Sequence, residues 1–154
     1  MEPPRIERAP DGAVALRLPP EEQTLLRGLA LELRSGLDSA PDDPSLRRLF
    51  PPAYDDEKDE RAYRELAADE LLDGRRESLE VLAATAANDL LSAAEADSWL
   101  RALNDLRLAL GTRLDVQEDS LLERLDPDDP AASGLAVYAY LSWLQEQLVE
   151  ALSP

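Results

Sequence analysis

The chain has 154 residues, about the length of one domain, and 44% of them are hydrophobic, so its high charge does not indicate disorder. A net charge of −17 at pH 7 argues against nucleic acid as a direct partner and against anionic membrane surfaces, because binding to both depends on Lys and Arg. The chain has no cysteine, which excludes disulfides, zinc–thiolate sites and thiol redox switching.

The apolar composition predicts a mostly α protein. Thirty-one leucines stand against one isoleucine and five valines, and leucine favours helices where β-branched residues favour strands. We expect a single domain over residues 1–154, with a small β-hairpin at about 5–18 and a helical bundle at 20–152. The polar start of the chain has no signal peptide pattern, and no apolar run approaches a membrane span, so the sequence predicts a cytoplasmic protein.

The hairpin is predicted from Pro10-Asp11-Gly12, in which proline presets φ and glycine accepts positive φ. The flanking segments 5–9 and 13–18 alternate in polarity, as strands do. An isolated hairpin is marginal in water, so this one must pack on helices. Its free edge is either protected or able to accept a strand from a partner.

The first helix is predicted to begin near Glu21, after Pro19-Pro20. Its apolar stripe consists of Leu26, Leu29, Leu33 and Leu37. A short helix is expected at 44–50, and helical sequence runs from about 57 to 87, as one helix or two. Gly74 lies within it and marks either a close helix crossing or a kink.

The rest of the bundle is predicted to surround a central helix at about 93–114. Ser92 and Glu95 form a capping box at its start. Its broad apolar face indicates a helix covered from more than one direction. The residues of that face are Trp99, Ala102, Leu103, Leu106, Ala109, Leu110 and Leu114, with Leu100 beside them.

Arg107 interrupts this apolar face. It either extends its guanidinium to water over a buried stem, or pairs with a carboxylate on a neighbouring helix. The candidate carboxylates are Glu65, Asp69, Glu70 and Asp89. Asn104 and Asp105 are placed on the polar side, where Asp105 is within reach of Arg101 one turn back.

The last helix is predicted at about 131–152, and it contains two aromatic residues that lie off its core stripe. That stripe is Val137, Tyr138, Leu141, Leu144, Leu148 and Leu152. Tyr140 and Trp143 are either covered by another element or exposed as an interaction patch. Such a patch would permit a homodimer, which should tighten as salt screens the charge of −17 per chain.

The search for chemistry finds no active-site pattern. The chain has no histidine and no cysteine, and it has no phosphate-binding loop, dinucleotide fingerprint, GxSxG or HExxH. We therefore predict that the protein is not an enzyme, that it binds no cofactor, and that it has no catalytic or metal-binding residues. The candidates for a structural or interaction role are Trp99, Asn104, Asp105, Arg107, Tyr140 and Trp143.

Three segments carry a resemblance to a known family: SLRRLFPPAY, WLRALNDLRLALGTRL and VYAYLSWLQEQLVEAL. They resemble an actinobacterial family of unknown-function domain proteins, often encoded beside the ClpS protease adaptor, that includes AosR-like oxidative-stress transcriptional regulators. The resemblance implies a mostly helical domain with a regulatory role exerted through protein contact. Thiol-based oxidant sensing, proposed within that family, is impossible without cysteine.

The sequence and the resemblance together predict a non-enzymatic regulator or adaptor that acts through protein–protein contacts. The implied partner is transcription machinery, such as a sigma factor, or a protease adaptor. The alternative is an enzyme or a small-ligand-binding protein with a pocket between helices.

Overall fold

A computed structural model describes residues 4–39, 73–113 and 132–153. It confirms a mostly α protein with a small N-terminal hairpin. The elements in chain order are β1 (Ile6–Arg8), a 3₁₀ turn (Pro10–Gly12), β2 (Val14–Leu16), α1 (Pro20–Ser39), α2 (73–85), β3 (Leu90–Leu91), α3 (Ala93–Arg113) and α4 (Ala132–Leu152). The predicted helix at 44–50 and the predicted helical segment before residue 73 lie outside the described residues.

The hairpin forms as its turn residues predict. Asp11 and Gly12 have φ values of 67° and 80°, a backbone region that glycine and aspartate tolerate better than most residues. Beyond the turn, Ala9 N–H donates to Ala13 O at 2.9 Å, and Ile6 lies opposite Leu16. Ile6, Val14 and Leu16 are buried, so one face of the hairpin belongs to the core.

A third strand, β3, extends this hairpin and was not predicted. It runs antiparallel to β2, with Val14 opposite Leu91, and Leu16 N–H donates to Asp89 O at 2.8 Å. The sheet order is therefore β1-β2-β3. The outer edge of β1 is covered in part by α4, because Gln147 Oε1 accepts a hydrogen bond from Ile6 N–H at 3.1 Å.

Helices α1 and α2 pack together through polar contacts as well as leucines. Arg27 Nε donates to the carbonyl of Ala83 at 3.3 Å, and Arg34 Nε pairs with Glu80 at 2.6 Å. Three of the four predicted stripe residues of α1 are buried and the fourth, Leu29, is partly buried.

Gly74 is the second described residue of α2, and no atom in the part of the chain that the structure describes lies within 4 Å of a Cβ placed on it. Among the described residues, nothing therefore supports a close helix crossing at this glycine. The alternative, a kink or break near residues 67–74, falls mostly outside the described residues.

Helix α3 is central, as expected, and contacts α1, α4 and β3. The capping box forms in both directions: Glu95 N–H donates to Ser92 Oγ at 3.1 Å, and Ser92 N–H donates to Glu95 Oε1 at 2.8 Å. Leu108, on the side opposite to the apolar face, is partly buried, as is Leu100 beside that face, in agreement with coverage of the helix from more than one direction.

Helix α4 begins within one residue of its predicted start. Its buried side is centred on Leu141, Leu144 and Leu148, and it includes Leu135, which the predicted stripe omitted. Val137 and Tyr138 are only partly buried. Among the described helices, none combines the length and the apolar character that crossing a bilayer requires.

Candidate functional site

The six candidate residues lie in four separate environments. Trp99 is in the core, Asn104 and Asp105 face the region of α2, Arg107 contacts α4, and the Tyr140–Trp143 pair lies beside the hairpin and α1. Among the described residues, Asn104 thus lies near Asp105, and Tyr140 lies near Trp143, whereas Trp99 and Arg107 are each separate from the other candidates.

Trp99 has a structural role. Its side chain is fully buried, and its indole N–H donates to Thr85 Oγ1 at 2.7 Å. The Thr85 hydroxyl in turn donates to the carbonyl of Val81 at 2.6 Å. This chain of hydrogen bonds satisfies the polar atom of a buried tryptophan and joins α3 to α2.

The placement of Asp105 on a polar side is wrong. The residue is 4% exposed and forms an ion pair with Arg75 of α2, which covers this face of α3. Arg101 pairs instead with Asp97, one turn earlier, at 2.8 Å. Burial raises the pKa of Asp105 above its ordinary value of 3.8, and the Arg75 guanidinium partly opposes that rise.

A cleft of about 370 Å³ lies between α2 and α3 beside this ion pair. Asn104 is exposed and lines it, as do Ser78 and Leu108. The two arginines that line the cleft, Arg75 and Arg101, already pair with Asp105 and Asp97. The arrangement therefore acts as a polar joint between two helices.

Arg107 is half-buried and binds neutral groups on α4. Its Nε donates to Ser142 Oγ at 2.9 Å, and its Nη1 donates to Gln145 Oε1 at 2.7 Å. The guanidinium carbon lies 5.5 Å from the centre of the Tyr138 ring, which is within cation–π range. Of the four carboxylates proposed as partners, Asp89 is exposed and makes no ion pair with Arg107, and Glu65, Asp69 and Glu70 lie outside the described residues.

Tyr140 belongs to a network that joins α1 and α4 to Arg5, the residue before β1. The hydroxyl of Tyr140 donates to Glu22 Oε1 at 2.6 Å, and Arg5 holds the same carboxylate through Nε at 3.2 Å and Nη2 at 3.1 Å. Burial raises the pKa of Tyr140 far above its ordinary value of 10.0, and the Glu22 carboxylate raises it further. The hydroxyl is therefore a hydrogen-bond donor at neutral pH.

Trp143 is exposed beside this network. Its side chain is 44% exposed, its ring centre lies 6.0 Å from that of Tyr140, and the guanidinium of Arg5 lies 5.7 Å from it. We call Arg5, Glu22, Tyr140 and Trp143 the Trp143 surface. Tyr140 is thus held by the hairpin and α1, while Trp143 presents a large aromatic area to solvent.

Sequence reasoning missed Arg5 and Glu22, which hold this surface in place. Glu22 lies in the first turn of α1, where an acidic residue suits the helix dipole, and its bond to Tyr140 spans 118 residues of sequence. No local pattern signals such a pairing. Among the described residues, no group of three His, Cys, Asp or Glu side chains is arranged to hold a metal ion.

The chain shows clear similarity to known proteins. Residues 1–152 match the family model described as Domain of unknown function (DUF2017). The chain is 35% identical over 135 residues to proteins of Mycobacterium tuberculosis and Mycobacterium bovis named oxidative stress regulator AosR, with 76% of this chain and 62% of each relative covered. A Mycobacterium leprae protein whose name also contains "oxidative stress regulator AosR" is 35% identical over 138 residues, 78% of this chain and 63% of the relative.

The match therefore spans less than two thirds of the length of these relatives. Their names describe regulators and not enzymes. No solved structure matches the chain.

Proposed function

The chain belongs to the family described as Domain of unknown function (DUF2017), and from that premise we propose that it is a non-enzymatic regulator that acts by binding another protein. The relatives named as oxidative stress regulators support the regulatory part of this proposal. The protein-contact part rests on the Trp143 surface. We further propose that the chain forms one domain and works in the cytoplasm.

The observation that carries the proposal is the exposed side chain of Trp143 in a fixed setting. Tryptophan, tyrosine and arginine are enriched among the residues that contribute most to binding at protein interfaces. Here all three side chains are in contact, and the Glu22 carboxylate restrains Arg5 and Tyr140. A side chain already held in place loses less entropy when a partner binds.

The overall charge narrows the class of partner. At −17, the chain attracts basic protein surfaces and repels acidic ones. We propose a partner with a basic surface and an apolar pocket for Trp143, from transcription machinery such as a sigma factor, or a protease adaptor. We propose that the chain makes no direct contact with nucleic acid.

The test is affinity capture from a mycobacterial lysate with the full chain as bait. We compare the parent chain with Trp143→Ala and with the control Leu31→Ala, which removes another exposed apolar side chain, on α1. A sigma factor, polymerase subunit or protease adaptor should be captured by the parent and the control, and Trp143→Ala should reduce that capture about tenfold or more. Equal capture by all three baits, or no such protein with any bait, would contradict the proposal.

A second experiment tests the exclusion of nucleic acid as a direct partner. A promoter fragment mixed with the chain at about 150 mM salt, where nonspecific DNA contacts are weak, should show no specific binding. Specific binding there would transfer the protein to the DNA-binding class.

A further inference from the structure

Arg107 differs from the other half-buried arginines in the described part of the chain. Arg5, Arg34, Arg75 and Arg76 each pair with a carboxylate, as the charge of −17 leads one to expect. The partners of Arg107 among the described residues are a serine, a glutamine and an aromatic ring, all uncharged. Among the described residues, Arg107 therefore forms no ion pair with a carboxylate.

The guanidinium of Arg107 is nonetheless held in one position. Ser142 Oγ donates to the carbonyl of Tyr138 at 3.0 Å, so its lone pair is left to accept from Arg107 Nε. Gln145 holds Nη1, and the Tyr138 ring lies 5.5 Å from the guanidinium carbon. A guanidinium has five N–H donors, and these two bonds use two of them, so it keeps donors for a further acceptor.

The same residues line a cleft of about 530 Å³ on the surface of α4. One part of its lining is Arg107 with its two hydrogen-bond partners, Ser142 and Gln145. The remaining described lining residues are Glu146, Val149 and Glu150, all exposed, with Val149 at 46%. The cleft thus offers one guanidinium, two carboxylates and one apolar side chain.

We propose that this cleft binds a carboxylate group at Arg107, in a ligand that also carries a cationic group for Glu146 and Glu150. A guanidinium matches the planar geometry of a carboxylate and binds it through paired hydrogen bonds. A purely anionic ligand would be repelled by the two glutamates and by the net charge, so a ligand with both signs is favoured. The cleft and the Trp143 surface share no residue, and the proposal is independent of the proposed function.

Two kinds of ligand carry a carboxylate and a cationic group close together. One is a free amino-acid-like compound, and the other is a protein segment with neighbouring basic and acidic side chains. The free dipeptide Lys-Glu represents the first source. Its capped form, acetyl-Lys-Glu-amide, represents the second, because it keeps the side-chain charges and lacks the terminal ones. Loss of affinity on capping assigns the site to a free compound, and equal affinity assigns it to a protein segment.

The experiment follows the Arg107 Nε–Hε signal of the ¹⁵N-labelled full chain by NMR at constant ionic strength. Lys-Glu in at least one of its two forms should shift this signal along a saturable curve with a Kd of about 1 mM, a typical value for a weak ligand. Arg107→Gln should abolish the binding, measured then on the Ser142 and Gln145 backbone amides. Arg27→Gln removes an arginine that bonds to a backbone carbonyl elsewhere and should leave the binding unchanged.

Two further measurements test the assignment of the charges. Sodium acetate should bind more weakly than Lys-Glu in the parent chain, and the double variant Glu146→Gln/Glu150→Gln should reduce that difference. Arg107→Lys keeps the charge but loses the planar fork, so it should bind Lys-Glu about tenfold more weakly. A shift that NaCl reproduces, a linear response to both dipeptides, or unchanged binding by a folded Arg107→Gln would overturn the proposal.

Discussion

Asp105 of α3 and Arg75 of α2 form an ion pair that joins two helices across the side of α3 opposite to its leucine face. The Asp105 side chain is 6% exposed and that of Arg75 is 25% exposed. The two partners therefore differ in how much each depends on the other. The carboxylate has little access to water, whereas the guanidinium retains some.

Removal of Arg75 should destabilise the protein more than removal of Asp105. Arg75→Met would leave a buried carboxylate without its cation, a change that costs about 3–5 kcal/mol in comparable sites. Asp105→Asn keeps an acceptor for Arg75 and leaves a cation that reaches solvent, so its cost should be about 1–2 kcal/mol. Urea denaturation at pH 7 measures both, and an equal or reversed order would show that the carboxylate is better solvated than its burial indicates.

The cost of Arg75→Met should shrink as the pH falls. Burial raises the folded-state pKa of Asp105 above 3.8, so the folded protein binds this proton at a higher pH than the unfolded chain does. Protonation of Asp105 thus favours folding as the pH falls through that raised pKa. A neutral Asp105 carries no charge for Arg75 to compensate, so the loss of Arg75 then costs less. The difference in unfolding free energy between Arg75→Met and the parent, measured from pH 7 to pH 4, should decrease steadily. A constant difference would mean that Asp105 stays ionised in both proteins.

Much of the fold follows from local patterns, whereas the polar contacts between elements do not. Pro10-Asp11-Gly12 predicts the hairpin because turn chemistry is local, and Ser92 with Glu95 predicts the start of α3 for the same reason. The strand Leu90–Leu91 is too short to show alternation. The burial of Asp105 depends on where α2 packs against α3. The helical periodicity of α3 carries no information about the position of α2.

The candidate site was likewise predictable from the sequence only in part. The positions of Tyr140 and Trp143 off the core stripe left open whether another element covers them, and the structure places Trp143 44% exposed and Tyr140 partly buried. The Arg5–Glu22–Tyr140 network that holds its neighbours depends on contacts between the hairpin, α1 and α4. Contacts at such separations follow from tertiary packing, and one sequence carries no signal for them.

The hydrogen bond between Tyr140 and Glu22 should contribute measurably to stability. Tyr140→Phe removes it and leaves the ring in place, so we expect a loss of about 1–2 kcal/mol, typical of a hydrogen bond to a charged group. Tyr138→Phe is the matched control, because the Tyr138 hydroxyl bonds to no described residue. Urea denaturation of the two variants should separate them. Equal stability would indicate that Arg5 alone holds the Glu22 carboxylate.

A second copy of the chain is the other possible occupant of the Trp143 surface, and the homodimer stays a proposal. Because two chains of charge −17 repel each other, any dimer through this surface should tighten as salt increases. Sedimentation at about 20 mM and about 500 mM NaCl should show a larger dimer fraction at high salt, where the Debye length is several-fold shorter. Trp143→Ala should remain a monomer in both. A parent chain that is monomeric at both concentrations would eliminate this occupant.

The most direct test of the protein-contact proposal is photocrosslinking from the Trp143 surface in living cells. A benzophenone amino acid replaces Ala136, which is exposed two turns before Trp143 on the same side of α4, and a control chain carries it at the exposed Thr24 of α1. In a mycobacterial host, the account predicts a crosslink from position 136 to a sigma factor, a polymerase subunit or a protease adaptor, absent from position 24 and lost when Trp143→Ala is added. No crosslink from position 136, or the same crosslink without Trp143, would contradict it.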